Sequence, residues 1–390
     1  MKVRHRCTTS ELLAQFTHAR FSRLICVTAL PVARAGGASS LFSIAMIPEL
    51  SLPCPPDQLD DFLSVPSPAV IEFARTLTGT VLILGAGGKM GLHLCRMLTR
   101  ALKAGGTVAN VIAVSRFTSL RDRSSFEAAG IVTIACDLAD PDQVAALPNA
   151  DTIYFLAGVK FGTATSPDVL QQMNVFVPHL VARRFRSSRI VAFSTGCVYP
   201  FASVDSTGAG EDTPPAPVGD YAESCLCREK EFSAVSRQFG TRVVLVRLNY
   251  SIEFRYGVLV DIAMKVRDGL PVDVTMGHVN VIWQRDAVDQ IIRALDCAAS
   301  PAQPLNITGS AVLRVRDLAA DFGGLFGREP IIVGQEAPTA WLNDATRSHR
   351  LLGAPTASLA EMEKWIAAWL LADGGTWGKP TGFEKRDGRF

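Results

Sequence analysis

The chain has 390 residues, of which 48% are hydrophobic and 19% charged, and its formal net charge is +2. This length allows one large or two ordinary domains with an ample hydrophobic core. The small net charge, without clusters of Lys and Arg among aromatic residues, argues against a nucleic-acid partner. Nine scattered cysteines without a C-x-x-C pair, and six scattered histidines, argue against a metal site. The scattered cysteines also suit a reducing compartment, so we expect a cytoplasmic protein.

Residues 1–45 differ from the rest of the chain because they contain six basic residues and one acidic residue. Such an acid-poor leader, rich in Arg and Ser, is typical of a transit peptide. Its apolar run at residues 24–30 is far too short to cross a bilayer, so we expect no membrane partner. Three interpretations remain open: an organelle address, a weak secretion signal, or sequence upstream of a true start at Met46. We favour the third and expect this leader to be poorly ordered.

A Pro-rich surface lead-in at 46–79, with a short helix at 68–77, precedes a long alternation of strands and helices. The strands are continuous Val, Ile, Leu and Ala runs, which is typical of a parallel sheet buried on both faces. The alternation predicts an α/β fold with a doubly wound parallel Rossmann sheet over residues 80–248. The predicted strands are 81–84, 111–114, 131–135, 152–156, 190–193 and 243–246, and the predicted helices are 92–98, 120–129, 140–146, 168–185 and 221–239.

After residue 248 the regular alternation stops and helices predominate. We expect residues 249–372 to form a smaller C-terminal substrate-binding lobe, with a strand and helices that return to the core, followed by a tail at 373–390. The lobe should lie over the strand ends, because ligands bind there in open α/β sheets. The predicted helices of this region are 261–268, 286–299, 315–322 and 358–371, and the predicted strand is 305–308.

The first predicted strand ends in a glycine-rich turn that opens a helix. Gly85 allows a sharp turn, Gly88 lets the backbone approach a pyrophosphate, and Gly91 lets the helix lie close to the strand. The helix N-terminus, with Lys89 and Met90, offers unpaired N–H groups to phosphate oxygens. The turn therefore predicts a dinucleotide site, although a glycine-rich turn that serves only packing is the alternative.

The next two strands end in residues that suit the adenosine half of a dinucleotide. Ser115 and Arg116 follow the second strand, and no acidic residue accompanies them. An acid at this place binds the ribose of NAD, whereas an arginine accommodates the 2′-phosphate of NADP. The sequence therefore favours NADP, with a solvated loop charge as the alternative for Arg116. Asp137 and Leu138 follow the third strand, where they can meet an adenine edge.

The fourth and fifth strands also end in residues that suit a ligand. Ala157 and Gly158 form a small-residue turn that lets a cofactor approach, and Lys160 can meet phosphate charge. Ser194 and Thr195 end the fifth strand with two hydroxyl groups. Because parallel strands share one carboxyl edge, these residues should lie near the glycine turn.

In this order the segments resemble the extended short-chain dehydrogenase/reductases of the NAD-dependent epimerase/dehydratase family, which includes UDP-galactose 4-epimerase. The resemblance runs from about Val81 to Gly309. It implies that Thr195 supplies a catalytic hydroxyl and that Tyr221, at the start of the helix 221–239, is the catalytic phenol. It also implies cofactor contacts from Gly85, Gly88, Lys89, Met90, Gly91, Ser115, Arg116, Asp137, Leu138, Ala157, Gly158, Lys160, Ser194 and Tyr221.

One position departs from the family pattern. The family motif is Tyr-x-x-x-Lys, and here Cys225 stands where the lysine is expected. In the family this lysine holds the nicotinamide ribose and lowers the tyrosine pKa toward that of a general base. Arg228 on the same helix face, or Lys160 from the opposite wall, could supply the missing charge. Cys225 is a catalytic candidate by position, and a small buried hydrophobe is the alternative.

The resemblance implies an NAD(P)-dependent epimerase/dehydratase or oxidoreductase that acts on a sugar or nucleotide-sugar through hydride transfer. The substrate would contact residues in 159–164, 249–256 and 277–285. The missing lysine leaves an alternative, a non-catalytic NADP-binding sensor or scaffold that kept the fold. The family also implies a homodimer that forms through the helices at 168–185 and 221–239.

Overall fold

A computed structural model describes residues 50–118, 121–160 and 167–389. These residues belong to one compact unit. The predicted leader at 1–45 lies outside the described residues, as do residues 161–164 of the predicted substrate pocket. The expected boundary between sheet domain and lobe at residue 248 falls inside the compact unit, and it stays a prediction.

The described α-helices are α1 (Leu59–Phe62), α2 (Pro68–Ala74), α3 (Gly91–Gly105), α4 (Arg123–Glu127), α5 (Pro141–Ala146), α6 (Pro167–Gln171), α7 (Val177–Arg184), α8 (Asp220–Phe239), α9 (Val258–Asp268), α10 (Gln284–Arg293), α11 (Val315–Phe326), α12 (Thr346–Leu352) and α13 (Leu359–Leu371). The described strands are β1 (Thr80–Leu84), β2 (Asn110–Ser115), β3 (Val132–Ala135), β4 (Thr152–Phe155), β5 (Arg189–Thr195), β6 (Ala202–Ser203), β7 (Val243–Leu248), β8 (Ser251–Ile252), β9 (Val272–Asp273), β10 (His278–Val279), β11 (Ile282–Trp283), β12 (Gln303–Ile307), β13 (Leu313–Arg314), β14 (Ile332–Val333) and β15 (Thr339–Ala340).

Seven strands form one sheet in the order β12-β7-β5-β4-β1-β2-β3. Every neighbouring pair in it is parallel. This confirms the predicted doubly wound, Rossmann-like α/β fold. The chain leaves β1 toward β2 and β3, then crosses to β4 on the other side of β1. Open α/β sheets bind ligands at such a switch point.

The alternation of side chains along β1 explains why helices cover both faces of the sheet. Val81 and Ile83 pack with α3 and α10, whereas Leu82 and Leu84 pack with α7 and α8. All four side chains are fully buried. A strand with two buried faces has no polar positions, which is why the sequence shows a continuous apolar run here.

The helix predicted over 168–185 is interrupted. After α6 comes a π-helical segment, Gln172–Phe176, before α7 begins at Val177. The physical reason is Pro178, which has no N–H to donate to the carbonyl group of Asn174. The wider turn places the Asn174 side chain beside the turn that follows β4, where it donates to the Val159 carbonyl and accepts from the Val159 N–H, both at 3.0 Å.

The lobe has its own aromatic core, and both ends of the described chain pack onto it. The rings of Phe254 and Trp283 meet at 5.0 Å between centroids. Leu59 and Leu63 of the lead-in are buried in this core, so the lead-in is not the surface segment that the sequence predicts. Phe383 of the tail is buried there as well. In the described ranges no helix is both long and apolar enough to span a membrane.

The half-buried carboxylate of Asp60 joins the lead-in to the sheet domain and the lobe. Asp60 accepts hydrogen bonds from Arg121 at 2.9 Å and from Arg255 at 2.8 Å, and its Oδ1 lies 2.8 Å from Nε2 of His93. Burial works to raise the pKa of Asp60, but the bonds from His93 and Arg121 outweigh it and hold that pKa far below its usual range. Asp60 is therefore a charged anchor.

Candidate active site

A cavity of about 540 Å³ lies at the carboxyl ends of β1, β4 and β5. Lobe residues at 249–251 and 256–258 and the tail complete its wall. The position agrees with the switch point between β1 and β4. It brings together these residues predicted from the sequence: Gly85, Gly88, Lys89, Met90, Gly91, Arg116, Gly158, Lys160, Ser194, Thr195 and Tyr221.

The three glycines of the turn after β1 have different structural roles. Gly85 has φ +84°, and a Cβ there would stand 2.6 Å from the Ala157 backbone. A Cβ at Gly91 would stand 2.1 Å from the Ala86 carbonyl oxygen, so Gly91 lets α3 begin against the turn. A Cβ at Gly88 would meet only the Gly85 carbonyl oxygen, at 3.5 Å. Gly88 thus leaves an open cradle at the N-terminus of α3, which fits the pyrophosphate of a dinucleotide.

The residues expected around the adenosine half lie partly outside the cavity wall. Arg116 lines the cavity, and its guanidinium lies 3.8 Å from the Asp137 carboxylate. Ser115 uses its Oγ to accept from the Phe117 N–H at 3.4 Å. Ser115, Asp137, Leu138 and Ala157 are not among the residues that line the cavity, and their contacts with a cofactor stay predictions.

Two lysines at the cavity wall sit in contact with aromatic rings. Nζ of Lys89 lies 3.1 Å from the ring centroid of Tyr256, and Nζ of Lys160 lies 5.8 Å from that of Tyr221. Burial, with the nearby charges of Lys160 and Lys379, lowers the pKa of Lys89 to about 7. Burial also lowers the pKa of Lys160. Ammonium groups in this setting favour an anionic ligand.

The two hydroxyls at the end of β5 have different surroundings. Oγ1 of Thr195 accepts from the Cys197 N–H at 3.2 Å. The Ser194 hydroxyl donates to Glu229 at 2.5 Å. Glu229 also accepts two bonds from Arg247, at 2.9 and 2.7 Å. Ser194 therefore connects β5 to α8. Its hydroxyl, which the sequence predicts to contact the cofactor, is hydrogen-bonded to the Glu229 carboxylate.

Tyr221 stands in the first turn of α8 as a protonated phenol. Burial raises its pKa well above 10, Cys225 and Cys197 add to the rise, and Arg228 opposes it. Cys225 is fully buried, and burial raises the pKa of its thiol as well. It shares a hydrogen bond with Tyr221 and does not line the cavity. Burial and the raised pKa favour the alternative of a small packing residue for Cys225, and a catalytic role for it stays a prediction.

Arg228 provides a fixed positive charge near the motif position. Its guanidinium is buried and donates to the Phe193 carbonyl at 2.9 Å and to Asn174 at 2.6 Å. A Cβ at Gly158 would stand 2.2 Å from this guanidinium, so any larger residue there would displace the Arg228 side chain. Sequence reasoning raised Arg228 as a substitute for the lysine but missed Asn174, because Pro178 signals an interrupted helix without showing which side chain the π-helical segment brings to the site.

The tail also supplies residues that sequence reasoning missed. Lys379 and Thr381 line the cavity, and the Thr381 carbonyl accepts from Lys160 at 3.3 Å. A signal for a docked tail was the presence of aromatic residues, among them Trp377 and Phe383, in a segment rich in polar residues and glycine. Among the described residues, no group of three or more His, Cys, Asp or Glu side chains could hold a metal ion.

The fold and the cavity define a dinucleotide-binding α/β protein with a tyrosine and a threonine hydroxyl at one ligand site. The model of the NAD dependent epimerase/dehydratase family matches residues 81–307, more than half of the chain. The chain therefore belongs to that family, which confirms the resemblance drawn from its motifs. No curated protein sequence matches the chain.

Several solved structures share the fold at low sequence identity. A UDP-galactose 4-epimerase is 23% identical with a TM-score of 0.60, and the match covers 75% of this chain and 99% of that chain. UDP-glucuronic acid 4-epimerase from Bacillus cereus in complex with NAD is 19% identical with a TM-score of 0.61, over 75% and 99%. Thermus thermophilus UDP-glucose 4-epimerase in complex with NAD is 18% identical with a TM-score of 0.59, over 74% and 97%.

Proposed function

We propose that the protein is an NAD(P)-dependent epimerase/dehydratase, or a related oxidoreductase, that acts on a sugar or nucleotide-sugar. The observation that carries the proposal is the convergence of Tyr221, Thr195 and the open cradle at Gly88 on one cavity. The similar solved structures named above are UDP-sugar 4-epimerases, two of them in complex with NAD, which supports the same class of substrate.

The catalytic steps of the chain itself are proton transfer and charge stabilisation. A nicotinamide cofactor, when bound, would accept and return the hydride of a sugar carbon. The Tyr221 hydroxyl would exchange a proton with the sugar hydroxyl at that carbon. The Thr195 hydroxyl, whose oxygen the Cys197 amide holds at 3.2 Å, would hydrogen-bond the same sugar oxygen as negative charge develops on it.

The electrostatic role of the missing lysine falls partly to Arg228 in this proposal. Arg228 is the positively charged group that acts to lower the pKa of Tyr221. Because its guanidinium is held by the Phe193 carbonyl and Asn174, its charge stays in one place during turnover. It stands seven residues after Tyr221 on α8, three further than position 225. Its charge should therefore lower the pKa of Tyr221 less than a lysine at 225 would, and Tyr221 should need a higher pH to act as a base.

The second candidate function is a non-catalytic sensor or scaffold that binds a dinucleotide. It is favoured by one observation, the neutral Cys225 thiol at the position of the motif lysine. The test is to incubate the purified full chain with NAD or NADP and a panel of UDP-sugars and free sugars, and to separate the products by chromatography before mass spectrometry, since epimers have equal mass. Epimerisation, dehydration or net redox of one sugar supports the enzyme, whereas cofactor binding without turnover of any sugar supports the sensor.

The preference for NADP is part of the proposal and rests on Arg116. This arginine lines the cavity after β2 without an acid beside it in sequence. The Asp137 carboxylate, 3.8 Å from its guanidinium, would offset some of its attraction for a 2′-phosphate. Titration of the protein with NAD and with NADP tests the preference, and tighter binding of NAD would contradict it.

A homodimer and a cytoplasmic location complete the proposal. The helices α7 and α8 pack side by side, and Phe176, next to α7, is 42% exposed, which is suitable for a helical dimer interface. Light scattering of the wild type and of Phe176→Glu tests the dimer. The described cysteines are all unpaired, as expected for a reducing compartment.

A further inference from the structure

A second cavity lies at the amino edge of the sheet, away from the active site. Its volume is about 470 Å³, and two segments form its wall: residues 186–189, which lead into β5, and residues 239–242, which join α8 to β7. Arg189 begins β5 and Thr195 ends it, so the strand separates this cavity from the active site by roughly 20 Å. A ligand at the amino edge would therefore not compete for space with a ligand in the active site.

Hydrogen bonds from buried hydroxyl groups hold the two segments in place. The Thr241 hydroxyl donates to the Arg186 carbonyl and so joins one segment to the other. The Ser188 hydroxyl donates to the Ala150 carbonyl at 2.5 Å. The hydroxyl of Ser236, in the last turn of α8, donates to the Thr241 carbonyl at 2.7 Å. The wall of this cavity is thus fixed by the fold.

Arginine dominates the charge of this cavity. Arg186, Arg189 and Arg242 line it, and none of the described lining residues is acidic. Residues 183–189 contain four arginines and a phenylalanine, a cluster that sequence reasoning missed because the net charge of the whole chain is small. Asp296, whose side chain is 64% exposed, pairs with Arg189 at 3.1 Å and offsets one of the three charges. The carbonyl end of α8 adds only about half a negative charge, so the cavity stays positive.

The three arginines keep guanidinium N–H groups that no described residue accepts. Arg186 lies over the Phe239 ring, 5.1 Å from its centroid, and this is the contact of its guanidinium within the described ranges. Arg242 donates from Nε to the Ala298 carbonyl at 3.1 Å, and its other guanidinium N–H groups have no acceptor in the same ranges. In Arg189, Nε is buried and lacks a described partner. Guanidinium groups bind phosphate oxygens through such paired N–H donors.

We propose that this cavity is a second ligand site, which binds the phosphate group of a small molecule through Arg186, Arg189 and Arg242. Its volume of about 470 Å³ lies in the usual range of small-molecule sites, and favours a compact ligand over an extended polyanion such as RNA. Phosphate suits the site because its several oxygens can accept from more than one guanidinium. The inference goes beyond the proposed function, since the two cavities share no lining residue.

The experiment measures the binding of inorganic pyrophosphate to the full chain by titration calorimetry, at about 0.15 M salt to screen non-specific attraction. One series contains saturating NAD or NADP, which fills the dinucleotide site, and a second series contains no cofactor. We expect one pyrophosphate per chain to bind the cofactor-loaded protein. Binding that the cofactor abolishes would place pyrophosphate in the active site and overturn the proposal, and so would the absence of binding.

Variants assign the binding to this cavity. Arg186→Gln and Arg242→Gln each remove one guanidinium from an exposed position, and each should weaken pyrophosphate binding about tenfold. Arg183→Gln is the matched control, because Arg183 is an exposed arginine of the same cluster that does not line the cavity, and it should change the affinity by less than about twofold. Unchanged affinity in either of the first two variants would overturn the proposal.

A last measurement distinguishes a small molecule from a polyanion. A single-stranded RNA oligonucleotide is titrated into the wild type and the same three variants. Binding of RNA without binding of pyrophosphate would define an extended polyanion surface and overturn the proposal. Turnover of a sugar is not needed for either titration, so this proposal and the proposed function fail separately.

Discussion

Gly88→Ala should separate the binding of the cofactor from the stability of the fold. The new Cβ would meet only the Gly85 carbonyl oxygen, at an ordinary 3.5 Å. The free energy of unfolding should therefore change by less than about 0.5 kcal/mol. The methyl group would occupy the cradle where the pyrophosphate must approach the backbone. Affinity for the nicotinamide dinucleotide should fall at least about tenfold, or ~1.4 kcal/mol.

Two other glycines give the matched controls for this prediction. Gly91→Ala would bring a Cβ to 2.1 Å from the Ala86 carbonyl oxygen, so the backbone must shift, at a cost of about 1–3 kcal/mol in unfolding free energy. Gly324 in α11 has no atom within 4 Å of an added Cβ, so Gly324→Ala should leave cofactor affinity unchanged. Titration calorimetry and urea unfolding measure both quantities. Unchanged cofactor affinity in a folded Gly88→Ala protein would refute the cradle.

Three further predictions concern the catalytic helix and the cavity charges. Tyr221→Phe should lower turnover at least about a hundredfold and leave cofactor affinity intact. Because burial raises the pKa of Tyr221, the activity of the wild type should rise with pH above neutrality. An activity that falls over this pH range would contradict the role of Tyr221 as a base. Lys89, with a pKa of about 7, is largely neutral at pH 8 and should take up a proton when an anion binds. Calorimetry in buffers of different ionisation enthalpy detects this proton uptake. Lys89→Met should abolish it. Glu229→Gln leaves the buried Arg247 without its carboxylate and should lower the unfolding free energy by about 3–5 kcal/mol. Glu223→Gln, at an exposed position of the same helix, is the control and should change the unfolding free energy by less than about 0.5 kcal/mol.

The sheet could be predicted because its determinants are local. The central strands β1, β4 and β5 are largely apolar segments of four to seven residues, as burial on two faces requires. The site residues at strand ends followed from the same argument, since parallel strands share one carboxyl edge. In the structure one cavity is lined by Gly88, Thr195 and Tyr221.

The remaining parts of the site depend on contacts that no local pattern contains. Lys160 meets the Thr381 carbonyl across 221 positions of sequence. Pro178 signals an interrupted helix, but no local pattern shows that the wider turn brings Asn174 to the turn after β4. Nothing in the sequence near Asp60 points to its partners Arg121 and Arg255, which only the fold shows.

The network of Ser194, Glu229 and Arg247 determines which parts of the active site can move. Ser194 precedes Thr195 in β5, and Glu229 lies two turns after Tyr221 in α8, so the hydrogen bonds between them join the two elements that carry the catalytic candidates. The relative placement of the two hydroxyls is then preorganised during folding, and a ligand need not supply the ordering entropy for it. Adjustment to different ligands is left to the other side of the cavity, where the lobe and the tail face the sheet.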